Sequence, residues 1–235
     1  MAEKAEVSVT GSTTLPAVDA HTFSAAGSTT VDEDVDATDV DASGSLEVGG
    51  SVRTERFEVS GSTRVRGDLD GARGTASGSI DVAGATTVDH LETSGSATLS
   101  RLEGGTVESS GTLTAETIEV EAVEASGVVE ADRVEAGEFS LDAQGDSSVE
   151  TLVADEVRVE RSGGLLGLNI LSGSDGHLDA GEIRGEQVAI EATTADRVVG
   201  DGVRIGPDCE IGTLEAERAE VADGATVAQR VEPGD

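Results

Sequence analysis

The chain has 235 residues, 48 of them acidic against 15 basic, for a formal net charge of −33, and only three aromatics, Phe23, Phe57 and Phe139. Apolar content is 36%, carried almost wholly by Val, Ala, Leu and Ile, which excludes a wide globular core filled by large rings and leaves a core that is narrow and repeated, or absent. Such acidity, with no Lys/Arg cluster and no aromatic platform, also excludes nucleic acid as a partner.

High net charge with few aromatics is the usual mark of disorder. Against it stand only three prolines and apolar residues that recur at fixed spacing. Lys4 is the only lysine, and this Arg-over-Lys, acid-rich surface reads as adaptation to a very salty cytoplasm. At roughly 1 M salt the Debye length is about 3 Å and self-repulsion is largely screened.

Residues 1–6 read as an N-terminal tail without the apolar run of a secretory signal. From residue 7 a small-Gly-small element recurs at Gly11, Gly27, Gly44, Gly61, Gly78, Gly95, Gly111 and Gly127, at intervals of 16, 17, 17, 17, 17, 16 and 16. Four residues before these glycines stand Val7, Phe23, Val40, Phe57, Gly74, Leu91, Val107 and Val123. Four residues after them stand Leu15, Val31, Val48, Val65, Val82, Leu99, Ala115 and Ala131, and a looser column runs through Leu46, Ile80, Leu113 and Val129. Between the columns, stretches such as Phe57-Glu58-Val59 alternate with period two, the mark of strands with one wet face.

Apolar patches of three to five residues ended by Gly or Ser do not make helices. Three short strands and three tight corners fit one repeat, so the spacing predicts an all-β, three-sided β-helix of about thirteen short coils, its main part spanning 7–163. Residues 164–176 interrupt it with the one strongly apolar, uncharged stretch of the chain, including Leu165, Leu166, Leu168, Ile170 and Leu171. It reads either as an insertion or wider coil, or as a contact surface for a membrane or partner. Coils resume over 177–231 in shorter steps near six residues per strand, a hexapeptide-like rhythm, before a tail at 232–235.

No chemistry stands out. His21, His90 and His177 share no phase in the aligned columns, the serines follow the corner phase, and Cys209 is alone, read as a small buried hydrophobe. The acidic run Asp32-Glu33-Asp34 lacks the ligand spacing of a calcium loop, and Gly200-Asp201-Gly202 and Gly104-Gly105 lack the lysine and helix of a phosphate cradle. The expectation is a protein that is not an enzyme and uses no cofactor or metal.

Repeat units such as Val59-Ser60-Gly61-Ser62-Thr63-Arg64-Val65-Arg66-Gly67-Asp68-Leu69 and Glu130-Ala131-Asp132-Arg133-Val134-Glu135-Ala136-Gly137 resemble the bactofilins, and with the acidic bias they look most like the haloarchaeal halofilins. The likeness runs from about Val7 to Glu160. It implies a right-handed β-helix and a cytoskeletal scaffold that forms filaments end to end without nucleotide or metal and contributes to cell shape. The chain departs from the family in its greater length, in lacking the usual apolar N-terminal membrane-targeting peptide, and in the interruption.

The partner expected is therefore a second copy of the chain, with a second cytoskeletal or membrane-associated protein also open and any membrane contact peripheral. The expected location is the cytoplasm, including the inner face of the cell membrane. Candidate junction residues are Val7, Val9 and Leu15 in the first coil and Val221, Val227 and Val231 in the last, because terminal coils expose core cross-section and unpaired strand edges. Candidate membrane or partner contacts are Leu165, Leu166, Leu168, Ile170 and Leu171. The rival readings are a non-polymerising acidic binding or adhesion module and a solenoid enzyme.

Overall fold

The computed structural model describes residues 5–161 and 176–231. They form an all-β parallel solenoid of about thirteen coils with sixteen strands and, among the described residues, no helix. The chain divides into two compact units, Met1–Thr117 and Ile118–Asp235. The boundary falls inside one strand, where the repeat gives no sign of it.

The first unit contains β1 (Glu6–Leu15), β2 (Val18–Val31), β3 (Val35–Ala42), β4 (Ser45–Val48), β5 (Val52–Val59), β6 (Ser62–Val65), β7 (Leu69–Ala76), β8 (Ser79–Thr93) and β9 (Ser96–Ser109). β10 (Thr112–Ala125) crosses the boundary. The strand already includes Glu6, which pairs with Thr22. In register, Val7, Phe23, Val40, Phe57, Gly74, Leu91 and Val107 lie above one another, as the glycine alignment predicts. So do Leu15, Val31, Val48, Val65, Val82 and Leu99.

Two details of this core were hidden in the repeat. Gly74 is not a corner residue: a Cβ there would stand under 3.0 Å from the ring of Phe57, so its missing side chain is the space that ring occupies. The looser column is mixed, because buried Thr29 and Thr63 alternate with Leu46 and Ile80. The hydroxyls of Thr29 and Thr63 have no hydrogen-bond partner.

The corners explain the glycine phase. At Gly44, Gly61, Gly78 and Gly95 a Cβ would come within 3.0 Å of the carbonyl oxygen of the corresponding glycine one coil earlier. Amides lock the same corners, with Ser62 N donating to Gly44 O at 2.8 Å and Ser79 N to Gly61 O at 2.9 Å. Only a residue without a side chain lets the corners stack this closely.

The second unit contains β11 (Val128–Ala143), β12 (Asp146–Arg161), β13 (His177–Ile190), β14 (Thr193–Ile205), β15 (Glu210–Val221) and β16 (Thr226–Val231). Here Phe139, Val157, Val188, Val203 and Ala219 continue one column, and Ala131, Val149, Ala180, Ala195, Ile211 and Val227 another. From β12 to β13 the register takes its longest step, Val149 facing Ala180 and Val157 facing Val188, yet the inward columns go on unchanged.

The later steps correct the hexapeptide expectation. Leu178 faces Thr193 and Thr194 faces Glu210, each step falling short of the three hexapeptides that a triangular turn would need. Two corner residues of these coils, Ala192 at φ 45° and Asp208 at φ 57°, take the left-handed conformation.

Outside, ion pairs run from coil to coil: Arg56–Asp39 at 3.1 Å and Arg64–Asp81 at 3.0 Å in the first unit, and Arg197–Glu215 at 2.6 Å in the second. All are exposed, so each contributes at most about 1 kcal/mol.

Candidate functional site: the edge strands

Among the described residues the grooves on the side faces are lined by interleaved acids and bases. An open groove of about 430 Å³ in the second unit is bordered by Arg158, Gln187, Arg204, Arg218 and Glu220. Two of its arginines are engaged: Arg158 with Glu156 at 3.2 Å and Arg204 with Glu220 at 3.2 Å. The Glu156 hydrogen bond and the charges of Glu156 and Glu160 hold Arg158 above the usual arginine range. A groove of about 370 Å³ in the first unit lies among Asp39, Glu55, Arg56, Arg73, Asp89 and His90, acids and bases interleaved.

The histidines meet ordinary partners. His21 Nδ1 lies 3.2 Å from Thr38 Oγ1, His177 Nε2 lies 3.0 Å from Thr194 Oγ1, and His90 Nε2 is 3.9 Å from Glu108. Among the described residues no group of three or more His, Cys, Asp or Glu side chains is placed to hold a metal ion. Cys209 is buried, 1% exposed, and burial pushes its thiol up, away from the reactive thiolate.

The strand edges are different. Among the described residues β1 pairs on one side only, with β2. Val9 is 8% exposed, while Val7 and Leu15 are half-buried although their counterparts Phe23 and Val31 are fully covered. A Cβ on Gly11 would meet nothing within 4 Å, whereas on Gly27 it would strike Gly11 itself. From Val7 to Leu15 there is no charged residue, and Ser8, Thr10, Ser12 and Thr14 are exposed. A ten-residue edge strand so nearly free of charge is a template for another strand, which soluble proteins ordinarily avoid.

In the second unit β16 pairs only with β15 among the described residues. Val221 and Val227 are half-buried and Ala219 is exposed, although Ile205, Ile211 and Val203 before them in register are buried; Val231 is half-buried too, but follows Glu215 outside the core columns. All six junction candidates thus stand on edge strands or beside one. Leu165, Leu166, Leu168, Ile170 and Leu171 lie outside the described residues.

Sequence reasoning missed Arg230. It follows Leu214 in an inward column, a position visible only once the length of each preceding coil is known.

No family model matches the chain, and neither a curated protein nor a solved structure does. The class of protein is therefore carried by the fold: a repeat protein of the parallel β-solenoid type. No helix among the described residues is long and apolar enough to cross a membrane.

Proposed function

We propose that this chain is a structural scaffold that self-assembles through its edge coils into nucleotide-independent filaments, in a salt-rich cytoplasm, and contributes to cell shape as the bactofilins it resembles do. The observation that carries the reading is the emergence of core columns at β1 and at the β15–β16 end, where Val7, Leu15, Val221 and Val227 lose the cover that Phe23, Val31, Ile205 and Ile211 have one coil inward. Adding a coil from a second copy completes the strand pairing and removes those apolar groups from water, at about 25 cal/mol per Å² of apolar surface covered.

The test is negative-stain electron microscopy of the purified protein in molar KCl without nucleotide, followed by dilution to low salt. Filaments at high salt are expected. Val9→Asp places an unpaired carboxylate in the junction and is expected to abolish them. Unassembled protein at high concentration and high salt would overturn self-driven polymerisation.

A further inference from the structure

The two edges are not equally prepared for a neighbour. In the second unit one inward column runs through Val134, Leu152, Ile183, Val198 and Leu214, each at most 2% exposed. The next residue in register is Arg230, and it is exposed. A guanidinium thus stands where five successive coils place an aliphatic side chain.

Among the described residues Arg230 has no ion-pair partner, and its strand neighbours Gln229 and Val231 carry no carboxylate. Glu215, which follows Leu214 on the adjoining coil, is taken by Arg197 at 2.6 Å. Arginine keeps its proton at any accessible pH, so it cannot escape burial by becoming neutral.

A second copy laid on β16 would have to desolvate this guanidinium. If the second copy offered its own β16, two like charges would approach; if it offered β1, the guanidinium would meet a strand whose one charged residue is Glu6 at its start. β1 has no such obstacle, and inward-pointing charge is a known means of blunting an edge.

We propose that Arg230 makes the β16 edge the harder of the two for a second copy of this chain to join, so that completing the β16 junction limits assembly. The inference rests on the assembly reading above and specifies its regulation: extension from β16 requires relief of one buried positive charge.

Sedimentation of wild type, Arg230→Leu and Arg230→Lys across protein concentration in molar KCl, with electron microscopy of each pellet and Val9→Asp as control, tests it. Arg230→Leu is expected to pellet as filaments at about one-tenth of the wild-type concentration, and Arg230→Lys to behave as wild type. Filaments from wild type and Arg230→Leu at the same concentration would overturn the gate and leave the assembly reading standing, as would amorphous pellets from Arg230→Leu. If wild type and Arg230→Leu both stay unassembled and Val9→Asp changes nothing, both readings fall.

Discussion

The two units build the same fold with different corners. In the first, Gly44, Gly61, Gly78 and Gly95 stack so closely that a methyl group on any one would strike the carbonyl of the glycine before it. In the second, Ala192 and Asp208 turn the chain in left-handed conformation, and a Cβ on Gly145 would touch only Val128 Cγ2, at 2.9 Å. Equal coil lengths put glycine on glycine along the first unit; in the second, Gly176 and Gly200 still sit against the carbonyls of Ala143 and Gly185, but Gly145 does not meet backbone. Regularity in the first unit is therefore a packing constraint, whereas the second tolerates steps as unlike as Leu178 to Thr193 and Val149 to Ala180.

Single substitutions sharpen this contrast. The largest effect is expected at the stacked corners: Gly78→Ala should cost about 3 kcal/mol, because the obstacle is backbone that cannot rotate away. Gly145→Ala should cost less than about 1 kcal/mol, since a valine methyl can shift. Urea unfolding in molar KCl, comparing midpoints, measures both. Equal costs would mean the two kinds of corner do not differ energetically.

An intermediate effect is expected where glycine makes room for a ring. Gly74→Ala drives a methyl into Phe57 and should cost about 2 kcal/mol. Combined with Phe57→Leu, which shortens the obstructing side chain, it should recover about 1 kcal/mol relative to the sum of the single changes. Strict additivity in the double-mutant cycle would show that Gly74 is not there for the ring.

The smallest effect belongs to the left-handed corner. Ala192→Gly relieves the strain of a positive φ but adds backbone freedom to the unfolded chain and removes a methyl that is 5% exposed, so the net change should stay within about 1 kcal/mol. A loss of several kcal/mol in the same unfolding assay would point to a packing role for the methyl that φ does not explain.

The edges extend the comparison to function. β1 is long and uncharged from Val7 onward, and β16 is six residues with Arg230 in the core column. Of the candidates, Val7, Leu15, Val221 and Val227 end apolar columns and are half-buried, whereas Val9 is itself buried and Val231 follows Glu215 outside the core columns. Arg230 was not legible in the sequence, because assigning it inward needs the exact step of every coil between Val134 and the edge. A slip of one residue would turn it outward.

The repeat alone determined the solenoid, the inward columns of the first unit and the corner role of its glycines, because in-register stacking forces like residues onto like positions and writes the coil length into the sequence. Only the tertiary structure decided that Gly74 houses the ring of Phe57, that Thr29 and Thr63 lie buried in an aliphatic column, that the inward columns resume in phase from Val149 to Ala180, and that a guanidinium caps the last core column. Each of these depends on which residue of one coil faces which residue of the next, and once coil lengths vary that pairing is set by packing between coils rather than by spacing along the chain.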